Sequence, residues 1–323
     1  KGGNINWNYP DNIIPTDKTA ASEGCLLAGV KGTYLADAQN ALDLINQYRK
    51  EACDNGYPDP RDANRKLTSS DYKPIKWSSD LEYIARIRAA EASVLISHTR
   101  PNGESCFSLS SPNGIESYGE VLAWNNTDSM LTGIDQWYGE KQDWLDQDSS
   151  AETGHYTQMI DPNNNYVAIA SFLNNDGKYS NATSGEFTSE ENLDEETAPA
   201  IKDCIQIIEF RQEDVAISAD GLDSTLEVGE TGQAILKLSY DSCELQGSVR
   251  GWSSDDEDVV KVTQDGAFTA VHLGRAVITA EMDCGVNVPF EINVCEKGKK
   301  IGRSNVMITN YEYTGSAVIP SVT

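Results

Sequence analysis

Apolar positions recur at the helical period in three places along the chain. Ala38, Leu42 and Ile45, with Arg49 one turn further on, predict a helix from about Leu35 to Ala52. Leu81, Ile84, Ala85, Val94 and Leu95 predict a second from Asp80 to Ile96, with Ser79 as its N-cap. Leu131, Ile134, Trp137, Tyr138, Trp144 and Leu145 form a stripe at spacings of three and four, which predicts a third from about Asp128 to Leu145. Glu140 stands three residues after Trp137 and four before Trp144, on the same side of that helix. A carboxylate between two indoles is poorly solvated and requires a partner.

Other stretches follow the two-residue period of a strand. After Gly154, the run from His155 to Ile160 sets His155, Thr157 and Met159 on one face and Tyr156, Gln158 and Ile160 on the other. Tyr166–Phe172 and Cys204–Phe210 are also strand-like, whereas Asn174 to Lys202, rich in Asn, Ser, Gly and Glu, predicts a mobile insertion. Lys1 to Lys31 shows no sustained period and predicts an extended arm that Cys25 could tether; Asp54 to Lys73 carries loop signals; Pro101-Asn102-Gly103 marks a turn. From about Asp214 the helical signals stop. Short runs follow at Val215–Ser218, Leu226–Val228, Ala234–Tyr240, Val249–Trp252, Val259–Val262, Ala267–Val271, Ala276–Ala280 and Val286–Val294, the spacing of a β-sandwich. The fold class is therefore α+β, with an arm over residues 1–33, a mixed domain over 34–212, an all-β domain over 213–295 and a tail over 296–323.

Length agrees with two domains, since 323 residues are long for one. With 25 basic against 51 acidic residues the net charge is -26, which excludes nucleic acid or an anionic membrane as a partner held by a general field. No apolar run approaches the roughly 20 residues that span a bilayer, so no transmembrane segment is expected. The chain begins at Lys1 without Met, the form expected of a mature or trimmed fragment that has lost its signal peptide. Seven cysteines without a Cys-x-x-Cys pair suit disulfides in an oxidising, extracellular compartment. Cys243 and Cys284 fall in the same predicted sandwich and are one candidate pair; the odd count leaves a thiol free or paired outside the chain.

Candidate chemistry gathers on few residues. Of three histidines, His98 follows the second predicted helix and His155 opens the predicted strand, with Glu120 and Glu140 between them. The words Ser97-His98-Thr99-Arg100-Pro101-Asn102-Gly103, Tyr118-Gly119-Glu120-Val121-Leu122-Ala123, Trp137-Tyr138-Gly139-Glu140 and Gly154-His155-Tyr156-Thr157-Gln158 stand in the order of the CAP superfamily. From Tyr34 to Phe210 the chain resembles these cysteine-rich secretory, antigen 5 and pathogenesis-related 1 proteins, in their bacterial form.

The resemblance implies a three-layer α-β-α sandwich and a central cleft where His98, Glu120, Glu140 and His155 converge. It implies that His98 and His155 hold a divalent metal such as zinc, while Glu120 and Glu140 orient the imidazoles or accept a proton from bound water. Thr99 replaces the Ser of eukaryotic members, and Val121 replaces the Asn of the Gly-Glu-Asn signature.

Further on, Leu226-Glu227-Val228-Gly229-Glu230-Thr231, Trp252-Ser253-Ser254-Asp255, Asp265-Gly266 and Val277-Ile278-Thr279-Ala280 resemble a bacterial Ig-like domain of group 2, a spacer on surface proteins. The stretch Tyr313 to Thr323 is similar to the start of another extracellular repeat.

Two functions follow. The first is a secreted or cell-surface protein of a Gram-positive bacterium that binds a divalent ion and an extracellular protein, glycan or lipid without being an enzyme. The second is a metal-assisted extracellular hydrolase of peptide or cell-wall material, with Glu120 or Glu140 as general base.

Overall fold

The structure is a computed structural model that describes residues 12–298. The first eleven residues of the expected arm, and the stretch similar to a further repeat, lie outside the described residues. Two compact units are present. Of the described residues, the larger is built on 12–218 together with Lys237–Ser248 and Asp283–Val286; the other comprises Ala219–Leu236, Val249–Met282 and 287–298.

The larger unit is mixed. Its strands are β1 (Ile13–Ile14), β2 (Cys25–Tyr34), β3 (Pro58–Asp59), β4 (Asp62–Lys66), β5 (Lys76–Trp77), β6 (Gly119–Asn125), β7 (Tyr166–Leu173), β8 (Asn181–Thr188) and β9 (Ile201–Arg211). Its helices are α1 (Ala38–Asp54), α2 (Ser79–Val94), α3 (Leu131–Tyr138), α4 (Lys141–Leu145) and α5 (Gly154–Ile160). One sheet runs in the order β1-β9-β2-β7-β8-β6, with β5 added beside β7, and β3 pairs with β4 separately.

Both faces of the sheet are covered, as side chains along β6 make plain. Leu122 and Trp124 pack with Ala92 of α2, and the Trp124 indole donates to the Ala92 carbonyl at 2.8 Å. Val121 and Ala123 alternate to the other side, where Ile134 and Trp137 of α3 join the main core. On that side α1 packs with α3 and α5: Tyr48 stacks on Tyr138 at 3.8 Å between centroids, and Arg49 donates to the carbonyl of Met159 at 2.8 Å. The unit is thus α+β with helices on both faces of a sheet.

Four expectations change here. The predicted arm ends in β2, because Cys25 to Val30 are all buried and a strand covered on both faces reads as an unbroken apolar run. The predicted insertion contains β8, whose eight residues are all buried between β7 and β6. Its small polar side chains are satisfied inside: Asn181 donates to the carbonyl of Thr127 at 2.7 Å, and Ser184 to Glu186 at 2.7 Å. The third helix is broken into α3 and α4 at Gly139-Glu140. The start of α2 shifts by one residue, with Ser78 accepting from the Leu81 N–H at 3.3 Å as the N-cap.

The smaller unit has a four-stranded sheet in the order Thr225–Glu227, Asn287–Cys295, Gly274–Met282, Val249–Ser254, and a three-stranded one of Thr231–Gln233, Ala267–Ala270 and Val260–Val262. Ala276, Ile278, Ala280 and Met282 alternate into its interior. Thr231–Gln233 and the Cys243–Leu245 strand of the larger unit were not marked by the sequence.

All seven cysteines are free thiols, so the expected disulfides, Cys243 with Cys284 included, are not formed. Six are buried, and several thiols are occupied where they stand: Cys204 donates to the carbonyl of Gly32 at 3.3 Å and Cys243 to that of Glu244 at 3.8 Å.

Candidate functional site

After α2 the chain folds back on itself. Arg100 N–H donates to the Glu104 carbonyl at 2.9 Å, Cys106 N–H to the His98 carbonyl at 3.1 Å, and Thr99 bridges to Ser105. Gly103 takes φ +86° at the turn, a conformation that favours glycine. Arg100, buried, pins this loop by reaching Glu91 at 2.9 Å, Asp17 at 2.9 Å and Glu104 at 3.2 Å. His98 therefore leaves a fixed loop with its ring towards solvent.

Glu120 lies on β6 and points to the α2 side. Arg88 of α2, fully buried, grips it through Nε to Oε2 at 2.5 Å and Nη2 to Oε1 at 3.1 Å. The same guanidinium donates to Glu91 at 2.6 Å and to the Ser97 carbonyl at 3.0 Å, fixing the residue before His98 as well. The His98 Nδ1 lies 2.7 Å from Glu120 Oε1. An ionised carboxylate only accepts, so Nδ1 donates, and in the neutral imidazole Nε2 then carries the lone pair.

Glu140 sits at the joint between α3 and α4. Its Oε2 accepts the backbone N–H groups of His155 at 3.0 Å and Tyr156 at 3.1 Å, and its Oε1 meets His155 Nδ1 at 2.5 Å. The first N–H groups of a helix lack intrahelical partners, and this carboxylate supplies one for α5.

Here the strand expected over His155–Ile160 is corrected to a helix. Tyr156, Met159 and Ile160 are buried at helical spacing, and in so short a run the alternation that suggests a strand arises equally from a helix.

The two imidazoles meet with centroids 6.5 Å apart and planes 24° from parallel. The side chains are 56% exposed for His98 and 27% for His155, against 1% for Glu120 and 17% for Glu140, so the rings face solvent while their carboxylates sit behind them. Among the described residues neither Nε2 has a hydrogen-bond partner. All four residues expected to converge do so. A cavity of about 600 Å³ lined by Gly32, Asp128, Asn174, Asp176, Asp203 and Cys204 is formed by other elements.

Three residues that the sequence did not place at the site complete the surroundings: Arg88, Cys106 and Glu186. One ligand atom from each of His98, Cys106 and Glu120 lies within 4.8 Å of the others. Glu186 stands opposite Glu120 in the β6–β8 register and is buried. The signal for Cys106 was the turn at Pro101-Asn102-Gly103, which returns the chain towards His98; Glu186 lay in the supposed insertion.

Burial would raise the Glu120 carboxyl, but hydrogen bonds from His98 and Arg88 outweigh it and hold it below its usual value. Burial, then the charge of Glu120, lift Glu186 well above the carboxylate range, so it is a neutral acid that donates to Glu120. Burial and the same charge push the Cys106 thiol up to about 12, which leaves it protonated and unsuited to attack as a nucleophile.

A pH test follows. The folded value of Glu186 lies above its unfolded one of about 4.3, so its contribution is intact below that pH and is lost as pH rises towards the folded value. Glu186→Gln keeps a donor with no proton to lose. The variant is expected to match the wild type near pH 4 and to exceed it in stability at pH 7, read from urea midpoints; an equal difference at both pH values contradicts a neutral Glu186.

Helices on both faces of a sheet and two imidazole–carboxylate pairs facing each other are the features of this unit. Residues 42–188 match the family model described as CAP, the cysteine-rich secretory protein family. A search of curated proteins gives no match. The matched span leaves out β2 and β9, which belong to the same sheet. Among the described residues no helix is long and apolar enough to cross a membrane.

Proposed function

We propose that this is a secreted or cell-surface bacterial CAP-domain protein whose cleft binds a divalent ion such as zinc at His98 and His155 and engages an extracellular protein, glycan or lipid, without acting as an enzyme. The observation that carries this reading is that both Nδ1 atoms are tied to carboxylates while both Nε2 atoms are free. Such pairing fixes the tautomer and makes the imidazole a better ligand. Two imidazoles on one tetrahedral ion would place their centroids about 5 Å apart. The rings at 6.5 Å therefore need to approach by about 1 Å, which suits exposed side chains. A bound ion there would supply Lewis acidity; the chain itself orients both rings and holds their protons on the side away from the cleft.

The hydrolase reading is weaker on the same geometry. Glu120 is buried and already accepts from Arg88, His98 and Glu186, and Glu140 accepts two backbone N–H groups and an imidazole. Both carboxylates are committed to holding structure, whereas a general base needs a free lone pair beside the water it would deprotonate.

The short alternating strands from Thr225 to Cys295 support reading the second unit as an Ig-like spacer, and the net charge of -26 suits a protein exposed to medium. Zinc titration by calorimetry tests the ion. Wild type is expected to give a saturable heat, and the double variant His98→Ala with His155→Ala to bind roughly tenfold or more weakly; unchanged heats remove the reading.

A further inference from the structure

We propose that Cys106 contributes a sulfur ligand, so that His98, Cys106 and Glu120 form a site for a borderline-soft divalent ion of the zinc type, seated on the inner side of His98. The inference rests on the reading that His98 holds a divalent ion and goes beyond it: His98 ligates here through Nδ1, with Cys106 and Glu120 in place of His155. One ligand atom from each residue lies within 4.8 Å of the other two, and each comes from a different support: the start of the loop after α2, the end of that loop, and β6.

The supports are rigid. The loop is closed by the Cys106 N–H to His98 carbonyl bond and clamped by Arg100, while Glu120 is held through Arg88 to α2. Cys106 and Glu120 are buried side chains; His98 is 56% exposed and is the member freest to adjust. In a tetrahedral site with bonds of about 2.0 to 2.3 Å, ligand atoms stand about 3.3 to 3.7 Å apart. The His98–Glu120 contact at 2.7 Å must then open slightly while the thiol side closes by about 1 Å at most. The exposed face of His98 leaves a fourth position for water.

Donor chemistry selects the ion. One thiolate, one imidazole and one carboxylate suit zinc or cobalt better than calcium or magnesium, which take oxygen. Binding replaces two protons: the thiol proton goes to solvent, and the Nδ1 proton that His98 shares with Glu120 is given up as the ring changes tautomer and takes a proton at Nε2, with no change of oxidation state. Charge permits it: Arg88 is shared between Glu120 and Glu91, so it does not make the locality positive.

The test uses cobalt(II) as a spectroscopic probe for zinc on the full chain. Wild type is expected to develop an intense near-ultraviolet thiolate-to-cobalt band that zinc bleaches. Cys106→Ser is expected to lose that band and bind roughly tenfold more weakly, and His155→Ala to keep it. Cadmium-113 resonance of the wild type reads sulfur ligation without any variant, should Cys106→Ser fold poorly. A band that survives in Cys106→Ser, or cobalt bound by wild type with no thiolate band and no sulfur-shifted cadmium signal, overturns the sulfur ligand. In the second case, binding that needs both His98 and His155 leaves the imidazole reading standing. No binding of either ion overturns both.

Discussion

Replacing Arg88 with methionine is expected to destabilise the protein by about 3–5 kcal/mol, the cost of leaving buried charges without their partner. Arg88 is fully buried and serves Glu120, Glu91 and the Ser97 carbonyl at once, so its loss leaves buried Glu120 without a cation and Glu91 with Arg100 alone. Arg88→Lys is expected to recover only part of the loss, because an ammonium cannot present the planar fork that reaches all three acceptors. Urea unfolding with an unchanged m-value is the measurement. A loss below about 1 kcal/mol would show that the network behaves like an exposed ion pair, and the account of Glu120 as a sealed carboxylate would fail with it.

Trp137→Ala carries a second large effect, expected at about 3–5 kcal/mol for a buried aromatic removed from a packed core. The indole is buried on α3, donates to the Leu122 carbonyl at 2.9 Å, and lies over Gly185, where a Cβ would come within 3.1 Å of the ring. Glycine in β8 is thus what lets the ring reach the sheet. Because α3 runs directly into Glu140, the cavity should also loosen the carboxylate that starts α5. Trp137→Phe is expected to lose less, since it keeps most of the volume and forfeits the N–H bond. Comparing the two by thermal unfolding, alongside zinc affinity, separates the packing cost from the effect on His155.

The sequence disclosed what depends on repeating patterns or on spaced words. The helices around Ile45 and Ile84, most strands from Leu226 to Val294, and the convergence of His98, Glu120, Glu140 and His155 were legible. What it hid depends on burial. Strand β8 reads Asn-Ala-Thr-Ser-Gly-Glu-Phe-Thr, a composition of surface loops, and is interior only because neighbouring strands and its own side-chain hydrogen bonds satisfy it. Strand β2 was obscured for the opposite reason: apolar on both sides, it has no alternation to detect. Helix α5 is seven residues long, too short for its period to be unambiguous, and is decided by a carboxylate fifteen residues away at Glu140. Cys106 was read as a disulfide partner because cysteine number suggests compartment before it suggests position.

The break at Gly139-Glu140 makes the two walls of the cleft mechanically unequal. One imidazole leans on a carboxylate set in the sheet and braced by a buried guanidinium; the other leans on one carried at a joint between two short helices and shared with the chain it steadies. Any ligand that draws the rings together should therefore move the His155 wall and leave the His98 wall in place, with amide exchange slowing along Gly154–Ile160 and barely changing along Gly119–Asn125.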